Sequence, residues 1–251
     1  MHILCVQGIQ SGAGASTIVA NVARILQELD QDVLVFDLNP SNLLRLHFNM
    51  DWQNPSGWAF NINDKKPWNN AAFQCEQGVH FLPFGQINYK NHQALMNDYL
   101  SDDWLSDALS SLDLPDKFWI ILNVPSELNT LSIQALNLSD IILRIFEPSV
   151  ACLSQLIDSM QSVYIHDDNS LSNKSYYLMN KLMPDSEMDY EMILIFKKVL
   201  SNKMIPVNIH FDENIKEAFA HQTTVSLHAP NSASAKEFRN CAIWLISYFN
   251  R

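Results

Sequence analysis

The first seventeen residues, MHILCVQGIQSGAGAST, constrain the fold more than any other stretch of the chain. A short apolar run, Ile3 to Val6, enters a glycine-rich turn from Gly8 to Gly14, and a periodic apolar segment (Ile18, Val19, Val22, Ala23, Ile25, Leu26) begins directly after it. Strand, glycine loop and helix in that order are the requirements of a phosphate-binding loop. Glycines 8, 12 and 14 allow a tight turn with successive N–H groups aimed inward, and the helix N-terminus adds a partial positive charge. A loop that grips phosphate through its backbone can survive the loss of side chains.

The ATP-binding form of this loop carries a lysine just before its last Ser/Thr; here that position is Ala15, and Ser16 stands where a hydroxyl would hold magnesium. On these residues the chain resembles the MinD/ParA family of deviant P-loop ATPases, whose loop reads KGGxGK[ST] with a second, earlier signature lysine. The resemblance implies nucleotide-binding positions at Gly12, Ala13, Gly14, Ala15, Ser16 and Thr17. It aligns the signature lysine with Gln10 and a glycine with Ser11, so both lysines are missing.

The next motifs depart from the family in the same direction. Asp37-Leu38-Asn39-Pro40 is similar to its DxDP switch I segment, with Asn39 in place of the carboxylate that orients the attacking water. After the apolar run Phe118 to Leu122, Asn123-Val124-Pro125 resembles the Walker B or switch II segment with its aspartate replaced. Of the acids expected near a metal only Asp37 remains, so Ser16 and Asp37 are the implied magnesium positions. Positioning and charge stabilisation are most of what a phosphoryl-transfer enzyme supplies. Gln10, Ala15, Asn39 and Asn123 together predict a pseudo-ATPase, with ATP or ADP and magnesium held weakly or without hydrolysis.

Three further strings, Asn42 to Asn49 (NLLRLHFN), Gly57-Trp58-Ala59 and Phe81 to Gln86 (FLPFGQ), resemble the BcsQ (YhjQ) branch of MinD-like proteins, which is encoded with bacterial cellulose synthase. That resemblance runs along nearly the whole chain and is loosest after Asp140. It implies an assembly or regulatory role in cellulose or exopolysaccharide secretion, contact with synthase or secretion subunits, a small partner from the same operon and a nucleotide-sandwich homodimer. It also implies that Asn180, after the run Tyr176 to Met179, recognises adenine. His210, before Phe211 and Asp212, is either a base contact or a plain loop residue.

Read without any resemblance, the chain alternates apolar runs (Ile3 to Val6, Val33 to Phe36, Val79 to Pro83, Trp119 to Leu122, Ile141 to Phe146, Tyr176 to Met179, Ile205 to Ile209) with helical patterns. The latter include Ala94 to Leu112, Leu131 to Leu138, Val150 to Tyr164, Tyr190 to Leu200 and Ala235 to Phe249; Asn169 to Ser175 and Asp185 to Asp189 read as solvated loops. The alternation predicts a doubly wound α/β fold, a mainly parallel sheet with helices on both faces, and the length suits a single domain over 1–251. Ligands bind beyond the carboxyl ends of such strands, where the glycine loop, Asp37, Asn39 and Asn123 would converge.

The net charge of -11 argues against nucleic acid, which demands clustered Lys and Arg. Residues 1 to 30 do not read as a signal peptide and no long apolar run occurs, so the expectation is a cytoplasmic protein that reaches a membrane only through partners. The last residues, Cys241 to Arg251, read as a helix packed on the core, since a basic amphipathic anchor would need more than one arginine. Cys5, Cys75, Cys152 and Cys241 form no CxxC pair and read as small hydrophobes. His2, His47, His80, His92, His166, His221 and His228 show no ligand spacing. Trp52, Trp58, Phe60, Trp68 and Phe73 fit either core or a partner surface. Three functions stay open: a non-hydrolysing scaffold, an ATPase whose missing cation comes from a partner or from Lys181 or Arg45, and an interaction protein with an empty loop.

Overall fold

The computed structural model describes residues 1–76, 78–161 and 169–250, and in it the apolar runs form one eight-stranded sheet. The strands are β1 (His2–Gly8), β2 (Val33–Asp37), β3 (Phe73–Gln74), β4 (His80–Leu82), β5 (Trp119–Val124), β6 (Ile141–Phe146), β7 (Ser175–Leu182) and β8 (Met204–His210). Side by side they run β3-β4-β2-β5-β1-β6-β7-β8, parallel throughout except for the antiparallel β3–β4 edge. Strands covered on both faces read as continuous apolar runs, and β5 is buried at every position.

The helices are α1 (Ala15–Glu28), α2 (Trp58–Asn63), α3 (Tyr89–Ala94), α4 (Trp104–Ser110), α5 (Thr130–Leu138), α6 (Val150–Gln161), α7 (Asn169–Lys174), α8 (Glu187–Leu200), α9 (Glu213–Ala220), α10 (Val225–His228) and α11 (Ala233–Phe249). Side chains alternate between the faces of the sheet. Leu4, Val6, Val35, Ile121 and Leu143 pack under α1 and α11, while Cys5, Phe36, Ile120, Leu122 and Ile142 face α4 and α5. Asn21, buried on the apolar face of α1, is satisfied: its Nδ2 donates to Thr17 O at 2.9 Å and its Oδ1 accepts from Val225 N at 2.8 Å. The C-terminal α11 packs on α1 and β8 through Ala235, Phe238, Cys241, Ala242 and Leu245, as its apolar pattern predicts; Arg251 lies outside the described residues. Among the described residues no helix is long and apolar enough to cross a membrane.

Some predicted boundaries are corrected. The single helix expected from Ala94 to Leu112 is broken: α3 passes into a π-type turn (Leu95–Tyr99), buried Leu100 turns extended, and α4 restarts after the helix-poor Ser101-Asp102-Asp103. Asn169 to Ser175 is helix α7 followed by the first residue of β7, and Leu171 packs on the core. Asp185 to Asp189 holds the start of α8, whose N-cap Ser186 accepts from Asp189 N at 3.1 Å. In the pattern Val150 to Tyr164 the helix is described to Gln161, and Tyr164, like His166, lies outside the described residues.

Residues between β2 and α3 pack by backbone contact. Trp58 N donates to Pro83 O at 2.9 Å and Ala59 N to Phe84 O at 3.0 Å, and a Cβ at Gly57 would lie 2.1 Å from Gly85 N. The aromatics of this insert divide between the two readings. Trp58 is fully buried, with its ring 4.9 Å from that of Trp104 and its Nε1 donating to Asp37 O at 2.8 Å; Trp68 is half-buried and stacks on Phe36 at 5.8 Å, and Phe60 is also half-buried. Trp52 and Phe73 are exposed.

Candidate functional site at the carboxyl ends of the central strands

The glycine loop leaves β1 beside the carboxyl ends of β2 and β5. Gly12 (φ +84°) and Gly14 (φ +94°) adopt the left-handed conformation that a nest of inward N–H groups needs, and Gly14 caps α1, whose first N–H groups have no intrahelical acceptor. The loop carbonyls are tied outward. Asn180 Nδ2 donates to Ala13 O at 2.8 Å, and Lys181 Nζ donates to Gly12 O at 2.7 Å while pairing with Glu147 Oε1 at 2.6 Å. These two residues sit at an irregularity in the β7–β8 ladder where Lys181 has φ +59°, which turns them toward the loop. A cavity of about 510 Å³ opens over the loop, lined by Gln10 to Thr17, Asn39, His47 and Pro125.

At the carboxyl ends of β2 and β5, strand register sets Asp37 beside Asn123. Asn123 Nδ2 donates to Asp37 Oδ1 at 2.7 Å and to Ser16 Oγ at 3.2 Å, and Asn39 N donates to the same carboxylate oxygen at 3.1 Å. Burial pushes the Asp37 carboxyl up to about 7, against the pull of the Asn123 and Asn39 hydrogen bonds and the more distant Arg45 charge. Asp37 Oδ2 and Asn123 Oδ1 are buried without a hydrogen-bond partner among the described residues.

The parts therefore fit a nucleotide unequally. Loop backbone, helix end and cavity suit phosphate oxygens. For magnesium, usually held by one or two carboxylates and the phosphates, Ser16 and Asp37 are adjacent and would hold the ion, and the two orphaned buried oxygens are hard donors of the right kind. Asn123, however, puts an N–H donor on both Ser16 and Asp37 and contributes no charge.

Asn39 Oδ1 accepts from Ser41 N at 3.0 Å and so supports its own turn. Arg45 spends its guanidinium on the carbonyls of Asn54 (2.7 Å) and Trp52 (2.9 Å), and neither it nor Lys181 lines the phosphate cavity. A smaller cavity, about 100 Å³, adjoins the loop on the other side and is lined by Gly14, Asn180, His210 and Phe211. There His210 Nδ1 pairs with Glu237 Oε1 at 2.6 Å and its N donates to Glu237 Oε2 at 2.9 Å, so α11 holds the ring at the rim.

One residue of the site has no signal in sequence. His47 is buried, lines the phosphate cavity, places Nε2 3.5 Å from Thr17 Oγ1 and packs its ring 4.6 Å from Phe219. Burial lowers its pKa to about 4, so the ring is neutral at pH 7. Its position within the NLLRLHFN string after switch I is the nearest thing to a cue.

Comparison with known proteins shows a family and a fold. The family model for "Cellulose biosynthesis protein BcsQ" matches residues 1–246. The chain is 28% identical over 250 residues to the protein of that name from Salmonella typhi, covering 98% of this chain and 94% of the relative. It is 28% identical over 252 residues to that of Escherichia coli K12, covering 99% and 96%. Among solved structures, MinD of Pyrococcus furiosus superposes with a TM-score of 0.75 at 19% identity, covering 98% of this chain and 99% of that one. A ParA family ATPase from Chlorobium tepidum gives 0.75 at 18%, covering 96% and 97%. Cobyrinic acid a,c-diamide synthase from Mycobacterium smegmatis, solved with an ATP analog and magnesium, gives 0.75 at 16%, covering 100% and 96%. At such identities the structures establish the fold, a P-loop sheet of the MinD/ParA kind, and the family match over nearly the whole length is independent of them. The chain belongs to the BcsQ family of cellulose biosynthesis proteins.

Proposed function

We propose that this chain is a catalytically degenerate subunit of a bacterial cellulose synthesis and secretion system, one that holds ATP or ADP without hydrolysing it. The observation that carries the reading is the Asn123 amide lying against both Ser16 and Asp37, where a second carboxylate would otherwise complete a metal site. Backbone N–H groups from Gly12 to Thr17 and the start of α1 grip the phosphates, and the cavity beside Asn180 and His210 takes the base. Ser16 and Asp37 are the residues that would hold magnesium, whose chemistry there would be to offset phosphate charge. Neither Ala15 nor Gln10 supplies a cation for charge developing in the transition state, and Asn39 cannot position water as a carboxylate does. Each lost charge-assisted contact weakens binding by about 1.5–3 kcal/mol.

In this reading the nucleotide is a structural ligand that stabilises a homodimer, and the protein is a cytoplasmic scaffold brought to the membrane by synthase or secretion subunits or by a small operon partner. The test is the thermal midpoint with and without excess Mg-ATP, together with a phosphate-release assay, since selective binding must stabilise the native state. A clear upward shift without release is expected. Sustained release that disappears in Asp37→Ala would overturn the reading, and an unchanged midpoint would leave an interaction protein with an empty loop.

A further inference from the structure

The face of the sheet turned away from α1 carries a polar row at its carboxyl end, where alternation calls for apolar residues. Register sets Gln7 of β1 beside Arg144 of β6, and Arg144 beside Tyr177 of β7. Arg144 Nη1 donates to Gln7 Oε1, and Gln7 is fixed in turn by its Nε2 donating to Pro125 O at 2.7 Å.

No carboxylate answers this guanidinium among the described residues. The acidic groups acting on it are the Cys5 thiol and the Tyr177 phenol. Burial raises both, the thiol to about 12, so each is neutral at pH 7. Arginine stays protonated under such conditions, so the half-buried Arg144 keeps its charge with no ion-pair partner among the described residues. One oxygen of Gln7 engages one of its five N–H donors.

Arg144 lines a cavity of about 300 Å³, separate from the one over the glycine loop and walled by Leu128, Ile133, Leu136 and Leu171 with Asn137 and Gln155. Leu128 and Ile133 are exposed, at 56% and 45%, which is unusual for large apolar side chains grouped around one pocket. The volume lies at the small end of ligand sites, about 300–1,000 Å³.

We propose that this cavity binds a small organic carboxylate with an apolar body, the carboxylate paired bidentately with Arg144 and the body against Leu128, Ile133 and Leu136. A planar fork matches a carboxylate, and the apolar wall of Leu128, Ile133 and Leu136 suits a ligand whose remainder is hydrocarbon. The site is built to be sensed. Gly8 and Ser126 line both this cavity and the phosphate cavity, so the ligand sits behind the glycine loop and against the segment following Asn123.

The test is calorimetric titration of the full chain with hexanoate, acetate and 1-hexanol as probes. Hexanoate is expected to bind saturably, with hexanol about tenfold weaker or more for the lost charge-assisted contact and acetate about tenfold weaker or more for the lost apolar burial. Arg144→Gln should abolish the preference for hexanoate over hexanol. Leu128→Asp, an exposed change that sets a carboxylate at the rim, should weaken hexanoate and leave folding intact, so the proposal stays testable if Arg144→Gln fails to fold. Equal binding of hexanoate and hexanol, retention of hexanoate binding in Leu128→Asp and Arg144→Gln alike, or no saturable binding of hexanoate would each overturn it.

Discussion

Two charged groups, fully buried Asp37 and half-buried Arg144, lie on opposite faces of the same sheet end, and neither has an ion-pair partner among the described residues. They solve the problem differently. A carboxyl group can take up a proton, and burial brings Asp37 to about 7, so at neutral pH it is part neutral and closes on the Asn123 amide. A guanidinium has no neutral form within reach, so Arg144 keeps its charge whatever surrounds it. The Asp37 end can therefore rest as it is, whereas the cation on the other face has only the Gln7 amide oxygen as its partner among the described residues.

The change with the largest expected effect on this comparison is Asn123→Asp. It puts a second carboxylate 2.7 Å from the first, and without metal it should destabilise by roughly 3–5 kcal/mol, the scale of an uncompensated buried charge. Added magnesium should recover much of the loss, measured as a metal-dependent thermal midpoint that the parent protein shows only weakly. A midpoint indifferent to magnesium would mean that Ser16 and Asp37 do not form a metal site.

Next comes Asp37→Asn. The folded pKa lies above the unfolded one, so the native state binds the extra proton between about pH 4 and 7, and stability is lost as pH rises through that window. The neutral variant should lack that falling limb and be more stable than the parent at pH 8 by roughly 2–4 kcal/mol in urea titrations. Arg144→Met should raise ligand-free stability by about 1 kcal/mol, because an apolar side chain replaces a half-buried cation with no ion-pair partner among the described residues. A fall would make Arg144 a structural tie to Gln7. The smallest effect belongs to His47. Its folded pKa, about 4, lies below the unfolded value, so its neutral form favours folding above pH 6.5 and that advantage is lost as pH falls toward 4. His47→Leu should flatten this limb, which runs opposite to that of Asp37, and barely alter stability at pH 7.5.

The strands were legible because each is a dense apolar run and the connecting helices are periodic. What escaped was set by competition over short distances: two-residue β3 is too brief to show alternation, and Ser101-Asp102-Asp103 ends a helical pattern that hydrophobicity alone would continue. The site was legible as a list of missing charges. That Asn123 would hydrogen-bond both remaining oxygens is a property of β2–β5 register, and the row Gln7, Arg144, Tyr177 joins residues far apart in sequence, one of them a single polar letter in the apolar run IILRIF. His47 meets Thr17 only because the segment after switch I folds back over α1.

The ties from Asn180 and Lys181 to the carbonyls of Ala13 and Gly12 carry a consequence for signalling. A switch reports its state by ordering and releasing a segment as its ligand comes and goes. Here the loop is moored to β7 by side chains that need no phosphate, so its conformation does not depend on a ligand to hold it. If the chain works as proposed above, such a loop is a socket, and the timing of any switch must come from elsewhere.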